Sequence, residues 1–416
     1  MRRYLPSTLN QWLLAAVPLS LLIAWPAGFE MLGAAVALGA LCALAMRNPQ
    51  QEFLDKFPGL ARLIPGARQP AGTGEKKKVV PVLPPPRRQG RKEKHMSPAD
   101  QMLAQGRVAL LLRPQIAASL SAADLEAAQA ALDDAMAIVP QGPVLLRSRG
   151  FDSLDEGAHT RAERLINVEG LFLDRFAVSN QEFLEFLEDG GYEQMSLWDE
   201  AIWPAVLGFI DQSGQPGPRY WENGTFLPGQ EDHPVVGVSW YEACSYARWA
   251  GKRLATDPEW VKAGTWPIFA DGAKPVQRRF PWGEAMDRKR VNVWSSGHNA
   301  TIPVHALPGG ASVNGVQQLI GNVWEWTSSA FGAWEPVGRK IETSMPHKSI
   351  RGGAFDTYYD AQSHCQFQSG ESPLSRKHNI GFRCALGFCD VVNADDAAED
   401  RETDVAPAVT HEEVLA

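Results

Sequence analysis

Cysteine is scarce in this chain. Five cysteines occur among 416 residues, an odd and sparse set that excludes the disulfide framework of small secreted domains and fits a reducing compartment. They are Cys42, Cys244, Cys365, Cys384 and Cys389. We interpret most of them as small buried hydrophobic residues.

Histidine and net charge exclude further classes of function. The nine histidines contain no pair at the His-x3-His or His-Glu-x2-His spacing that places two metal ligands on one helix face. The formal net charge of −8 is mild, and we expect no nucleic-acid partner. Local charge is more informative, because a basic run at 76–94 contrasts with an acidic run at 395–413.

The longest apolar stretch runs from Trp12 to Met46 and holds a single charged residue. About 20 residues cross a bilayer, and Pro26 and Gly28 interrupt the stretch, so residues 1–47 predict a transmembrane hairpin of two short helices. Basic residues on both sides place its ends and the main domain on the cytoplasmic side of the inner membrane. A cleaved signal peptide and a single signal anchor are the competing interpretations.

Composition divides the remainder of the chain. Residues 48–96 form a basic, Pro- and Gly-rich linker that is either a solvated tether or a ligand for anionic lipid headgroups. Residues 97–137 predict a pair of helices, the second beginning near Ser121. Residues 138–389 form the main domain, and the acidic tail at 390–416 is predicted to be disordered.

Five short motifs, three of which contain tryptophan, mark the main domain. They are Gly-Asn-Val-Trp-Glu-Trp-Thr at 321–327, Gly-Phe-Arg-Cys-Ala at 381–385, Ile-Arg-Gly-Gly-Ala-Phe at 350–355, His-Pro-Val-Val-Gly-Val-Ser-Trp-Tyr-Glu-Ala at 233–243 and Trp-Ala-Gly-Lys-Arg-Leu-Ala-Thr at 249–256. In their order along the chain, the motifs resemble the formylglycine-generating-enzyme domain family, also called the sulfatase-modifying-factor family.

The resemblance implies an α+β fold, a formylglycine-generating-enzyme-like variant of the C-type lectin fold. Short irregular sheets and two principal helices are expected, one capped by Ser179 or Asn180 and one at about 240–249. The transmembrane hairpin and the short helical segment would precede this domain. Fold resemblance does not establish chemistry.

The oxidases of this family, by resemblance, bind copper with two cysteines just after Arg-Gly-Gly. Soft thiolates are what Cu(I) requires. Counting forward from Gly353 places Thr357 and Gln362 at those positions, and counting back from the 381–385 motif places Phe355 and Asp360 there. Neither count finds a thiol, so copper and oxidase chemistry are not expected. A redox iron site is not expected either, because the helices before residue 139 hold no histidine.

The resemblance also implies calcium. Its ligands would be the side chains of Gln318 and Glu325 with the carbonyls of Gly321 and Val323. A glutamine here leaves little negative charge, so we expect at most one weak calcium ion. The alternative for Glu325 is a buried acid that accepts hydrogen bonds from backbone amides.

A candidate binding surface lies between the Gly-Gly and Gly-Phe-Arg motifs. This segment forms the ligand face in lectin-like members of the fold, and an aromatic-rich insertion at 192–226 is a candidate for its rim. Mixed aromatic, amide and charged groups on loops suit recognition of a protein or a glycan. The candidate binding residues are Asp356, Tyr358, Tyr359, His364, Gln366, Arg376, Lys377 and His378.

The leading functional hypothesis is a membrane-tethered accessory module that recognises a protein. The rival is an enzyme of the same family with a non-copper mechanism, acting on a peptide or small metabolite. It would require a cleft that sets His364 or His378 beside Glu325 or Asp356. A glycan-binding lectin is a further alternative if the domain is exported.

Overall fold

The computed structural model describes residues 96–147, 163–268, 275–334 and 346–392. The predicted transmembrane hairpin, nearly all of the basic linker and most of the acidic tail lie outside these residues. Within them, no helix has the length and apolar character that crossing a membrane requires.

Four helices open the described chain. They are α1 (Pro98–Ala104), α2 (Val108–Leu111), α3 (Pro114–Ala117) and α4 (Ala122–Ala135). Ser121 caps α4 by accepting a hydrogen bond from the amide of Asp124, which satisfies one of the free donors at the helix start. Helix α4 ends at Ala135, two residues before the predicted end of the helical segment at 137, because Met136 begins a strand. Four short helices thus take the place of the predicted pair.

The first sheet contains β1 (Met136–Val139), β4 (Leu171–Asp174), β10 (Cys384–Gly387) and β5 (Arg253–Leu254), in the order β1-β4-β10-β5. All neighbours are antiparallel. Since successive side chains point to opposite faces, Phe172 and Leu386 pack against the four helices. Leu173 and Ala385 pack into a second core on the opposite face. The helical segment therefore shares its core with this sheet.

A hairpin and a second sheet follow. The hairpin pairs β2 (Gly142–Arg147) with β3 (Glu163–Val168). The second sheet contains β8 (Gln368–Glu371), β7 (Lys348–Arg351), β6 (Trp324–Ala330) and β9 (Ile380–Phe382), in the order β8-β7-β6-β9. Strands β6 and β9 are parallel, so the Gly-Asn-Val-Trp-Glu-Trp-Thr and Gly-Phe-Arg-Cys-Ala motifs lie side by side.

The remaining helices are α5 (Asn180–Glu188), α6 (Trp203–Val206), α7 (Trp240–Trp249) and α8 (Asp257–Thr265). Helices α5 and α7 have the bounds that the resemblance implies. Capping boxes begin α5, α7 and α8, which fixes where each helix starts. Between α5 and α7 lies an aromatic core in which rings meet mostly edge to face, a favourable arrangement. Its members include Phe183, Phe186, Tyr246, Trp249 and Phe382.

We predict that the helical segment unfolds together with the sheet it covers. Leu132 of α4 is fully buried, so Leu132→Ala is expected to lower the free energy of unfolding of the whole domain by about 3 kcal/mol. Chemical denaturation followed by fluorescence and by circular dichroism measures this. Glu126→Ala, on the exposed side of the same helix, is the control and is expected to change little. Separate transitions for helix and sheet would contradict the prediction.

Candidate functional site

The acid of the Gly-Asn-Val-Trp-Glu-Trp motif lies at the centre of the domain. Glu325 is fully buried. Its Oε1 accepts a hydrogen bond from Nη2 of Arg383 at 2.6 Å, and its Oε2 accepts from Nε of Arg383 and from Nε1 of Trp260, both at 2.8 Å. Such a two-point pairing of guanidinium and carboxylate is strong and directional. It joins the two motifs that the sequence places sixty residues apart.

The predicted calcium ligands do not fit a calcium site in this arrangement. The guanidinium of Arg383 already neutralises Glu325 and would repel a divalent cation. The Oε1 of Gln318 accepts from Nδ2 of Asn322 at 2.6 Å, and the carbonyl of Gly321 accepts from the amide of Val323 at 2.9 Å. Calcium needs six to eight free oxygen ligands with substantial negative charge. The ligands as arranged do not offer such a set, and the expectation of a weak calcium ion stays a prediction. The partners of Glu325 are side chains, not the backbone amides of the alternative interpretation.

The positions where the family's oxidases carry thiols hold no thiol in this chain. Thr357 is buried, and its hydroxyl accepts a hydrogen bond from the amide of Ala354 at 2.8 Å. Burial raises the pKa of the nearby Cys365 thiol far above its ordinary value, and burial likewise raises the pKa of Cys384. Both cysteines are unpaired thiols. In the four described stretches of chain, no group of three His, Cys, Asp or Glu side chains is placed to hold a metal ion.

An exposed row of aromatic side chains crosses the loops above β6. Trp294, Tyr358 and Tyr359 are 51%, 66% and 64% exposed. The ring centroids of Trp294 and Tyr358 are 6.3 Å apart, and those of Tyr358 and Tyr359 are 5.2 Å apart. Beside them, Arg288 forms an ion pair of 3.0 Å with Asp360. We call these five residues the aromatic face.

A histidine–aspartate pair joins His378 to Asp356, which lies in the same loop as Tyr358 and Tyr359. The Nε2 of His378 lies 3.3 Å from Oδ2 of Asp356. Asn379 donates from Nδ2 to both oxygens of that carboxylate, at 3.1 and 3.0 Å, and so fixes its orientation. The imidazole ring contacts the rings of Phe355 and Tyr220. Tyr220 belongs to the 192–226 insertion, which therefore reaches the predicted binding segment.

Other predicted binding residues face inward or away. Arg376 is buried and donates to the carbonyls of Ile210, Gly217 and Gly237. It also forms an ion pair with Glu242 at 3.0 Å. Its assignment to the binding surface is therefore corrected: Arg376 fastens the insertion to the domain, because a buried guanidinium must satisfy all its donors.

The segment around His364 and Gln366 serves the hairpin. Gln366 donates from Nε2 to the carbonyl of Leu145 at 2.9 Å and accepts from the amide of Arg147 at 3.2 Å. The ring of His364 packs edge-on to Phe367. We correct the placement of Gln366, since its amide is committed to strand β2. Lys377 is exposed and pairs with Glu371.

Sequence reasoning missed Trp294 and Arg288 as members of the surface. Trp294 has no sequence signal that marks it as exposed, because it begins a short 3₁₀ helix, Trp294–Ser296, within a loop, and only the fold brings it beside Tyr358. Arg288 has no sequence signal, because only the fold brings it beside Asp360.

Comparison with known proteins decides the family. A sequence model of the sulfatase-modifying factor enzyme 1-like domain matches residues 121–387, more than half of the chain. The chain belongs to this family. The match confirms the resemblance drawn from the motifs and extends it into α4. The mixed helix-and-sheet architecture described above is thus a formylglycine-generating-enzyme-like fold.

Characterised family members include enzymes. The chain is 32% identical over 271 residues to hercynine oxygenase of Mycolicibacterium smegmatis, covering 60% of each protein. It is 29% identical over 263 residues to the formylglycine-generating enzyme of Mus musculus, covering 53% of this chain and 67% of that enzyme. The chain thus spans about three fifths of the length of the hercynine oxygenase.

Among solved structures, PvdO from Pseudomonas aeruginosa is similar with a TM-score of 0.40 and 21% identity. The similarity covers 61% of this chain and 94% of PvdO.

We predict that Arg376 is required for stability. Arg376→Ala removes one partner of a buried ion pair and the donors to the carbonyls of Ile210 and Gly217, so the free energy of unfolding is expected to fall by about 3–5 kcal/mol. Lys377→Ala, the exposed neighbour, is the control and is expected to change little. Thermal and denaturant unfolding measure the difference. Equal stability of the two variants would show that Arg376 does not fasten the insertion.

Proposed function

We propose that this domain is a protein-recognition module whose binding surface is the aromatic face. The observation that carries the proposal is the row of three adjacent exposed rings, Trp294, Tyr358 and Tyr359. Exposing large aromatic rings to water is unfavourable, and a contiguous apolar patch marks an interaction site more often than scattered residues do. The rings lie on loops that a rigid sheet supports, which is where binding residues concentrate.

The composition of the face favours a protein ligand. Trp, Tyr and Arg are the residues that contribute most binding energy in protein interfaces, and all three types meet here around Arg288. The ion pair between Arg288 and Asp360 is exposed and therefore weak. Either partner can exchange it for a charge on an incoming protein at small cost.

The insertion supplies one edge of this surface. Tyr220 contacts His378. A groove of about 390 Å³ lies between the insertion and the loop that contains Leu374 and Arg376. Its lining includes Ile210, Arg219 and Leu374. The lining also includes Asp211 and Gln212, and a groove with both apolar and charged groups suits a peptide segment of the same partner.

Membrane attachment forms part of the proposal. A transmembrane hairpin at 12–46 would hold the domain on the cytoplasmic side of the inner membrane, and the basic linker would add attraction to anionic headgroups. The support is the apolar composition and the flanking positive charge of the sequence. The accessory role follows, because a tethered binding domain raises the local concentration of its partner.

A second candidate function is catalysis on a peptide or small metabolite. The supporting observation is the contact of His378 with Asp356, whose carboxylate Asn379 orients. An oriented imidazole is suited to act as a general acid or base. Curated relatives that are enzymes add weight to this candidate. Against it, the imidazole lies on an open surface with its side chain 59% exposed.

We predict that Trp294→Ala, Tyr358→Ala and Tyr359→Ala together abolish capture of a discrete protein. The tagged full-length protein is purified from solubilised membranes, and co-purifying proteins are compared by mass spectrometry. Loss of three central aromatic residues is expected to weaken binding by at least about 100-fold. Leu165→Ala with Val276→Ala removes exposed apolar side chains outside the face and outside the insertion and is expected to retain the partner.

Three other results of this purification would argue against recognition by the aromatic face. Equal capture by both variants would place the interface elsewhere. The absence of a specific protein in every sample would favour the catalytic candidate. A glycan as the retained species would favour a lectin.

The proposed topology is tested separately. A reporter that is active only in the cytoplasm, fused after Ala416, is expected to be active in the full-length protein, because the hairpin returns the chain to its starting side. The matched fusion to a reporter active only in the periplasm is expected to be silent. The opposite pattern would exclude the cytoplasmic placement.

A further inference from the structure

The backbone of Asn322 touches both loops that carry the aromatic face. Its amide donates to the carbonyl of Asn292 at 2.7 Å, at the start of the loop 292–306 that bears Trp294. Its carbonyl accepts from the amide of Phe355 at 3.0 Å, at the start of the loop 354–364 that bears the two tyrosines. Asn322 therefore lies where the two loops converge.

The side chain of Asn322 repeats this connection. Its Oδ1 accepts from the amide of Ile302 at 2.9 Å, and its Nδ2 donates to the carbonyl of Ile302 at 3.0 Å. The amide group thus pairs with Ile302 as a neighbouring strand residue would. Its Oδ1 also accepts from Nδ2 of Asn292 at 3.1 Å, and its Nδ2 donates to Oε1 of Gln318 at 2.6 Å. Every donor and acceptor of this buried side chain is used.

Gln318 extends the network along the loop 292–306. Its Nε2 donates to the carbonyl of Pro303 at 3.0 Å and to the carbonyl of Ala306 at 3.1 Å. Together, the amide groups of Asn322 and Gln318 hold three carbonyls between 302 and 306.

The backbone beneath this network is strained. Gln318, Gly321 and Asn322 have φ angles of +50°, +80° and +65°, in the left-handed region that side chains disfavour. A Cβ on Gly321 would lie 2.5 Å from the carbonyl oxygen of Asn292. Such strain persists only where surrounding contacts over-determine the conformation, and it clusters at functional sites.

The two loops also meet directly. The amide of Trp294 donates to the carbonyl of Thr357 at 3.2 Å, next to Tyr358. One residue thus sets the base of each loop, and a single backbone hydrogen bond joins them above it. A shift at Asn322 would move Trp294 relative to Tyr358.

We infer that Asn322 is a positioning residue that aligns the two loops of the aromatic face without a metal ion. The inference rests on the proposed binding function only for its significance, because the alignment is measurable without a partner. The one buried side-chain acceptor of the network that lacks a hydrogen bond is Oδ1 of Asn292. A single neutral oxygen is too little to hold a divalent cation.

The test is hydrogen exchange of the full-length protein, read by mass spectrometry, for Asn322→Asp. The substitution keeps the shape but replaces the Nδ2 donor with a carboxylate oxygen that faces Gln318 and Ile302. Exchange within 292–306 and 354–364 is expected to accelerate by about tenfold or more. Exchange in strands β1, β4 and β10 is expected to stay within about twofold of wild type.

Asn299→Asp is the matched control. Asn299 is exposed, lies in the same loop and also has a left-handed φ, +55°. Equal exchange in both loops for the two variants would overturn the inference. If hydrogen exchange accelerates in all regions alike for Asn322→Asp, the residue has a general structural role. That result would also overturn the inference unless Gln318→Met shows the local effect.

Gln318→Met removes the donors to Pro303 and Ala306 without adding charge. It is expected to accelerate exchange in 292–306 by a smaller factor and to leave the sheets unchanged. No local acceleration in this milder variant, combined with failure of Asn322→Asp to fold, would overturn the inference.

Calcium supplies the remaining arm. For the wild-type protein, addition of calcium or of EDTA at about 5 mM is expected to change loop exchange by less than about twofold, since no ion contributes to the folded state. Slower exchange in calcium or faster exchange in EDTA would overturn the metal-free alignment. Failure of the proposed binding function appears instead as equal partner capture by the aromatic variants, with exchange unaffected.

Discussion

The buried pair of Glu325 and Arg383 is the interaction on which the rest of this structure depends. Arg383 also donates to the carbonyls of Asp174, Arg175 and Gln317, so one guanidinium connects both sheets and the loop that precedes β6. Removing two charges from water is costly, and only complete pairing offsets that cost. The pair therefore contributes little to net stability, whereas loss of either partner alone would leave an unpaired buried charge and be strongly destabilising.

A second buried network supports the same sheet directly beside this pair, because Arg351 lies opposite Glu325 in the register of β6 and β7. Asp257 at the start of α8 forms an ion pair with Arg351 at 3.0 Å and accepts hydrogen bonds from Ser349, Thr327 and Gln368. Strands β6, β7 and β8 are thereby fixed to one carboxylate. A rigid scaffold of this kind allows the loops above it to carry exposed aromatic rings without disturbing the core. The face is thus a product of both buried networks.

The motifs predict the fold because they specify its least replaceable positions. Trp324 and Trp326 alternate with Glu325, which predicts a strand with an acid on the face opposite the rings, and that is how β6 is built. The capping boxes at Ser179, Ser239 and Thr256 are equally local. The segment between the Gly-Gly and Gly-Phe-Arg motifs predicted Tyr358 and Tyr359 to lie at the surface, and both are exposed. Arg376 and Gln366 were chosen from the same segment by the same reasoning, but their side chains are committed to the insertion and the hairpin.

The sequence by itself determined the family, the helix starts, the strand that carries the paired tryptophans and the absence of a thiol pair, because each depends on residues close together in the chain. Tertiary structure alone decided which acid meets which arginine, and therefore that Glu325 is neutralised by Arg383. It also brought Trp294 beside Tyr358, and Asn322 beneath both. These outcomes depend on burial and on contacts between distant segments, and a side chain's chemistry changes with the partner that burial forces upon it.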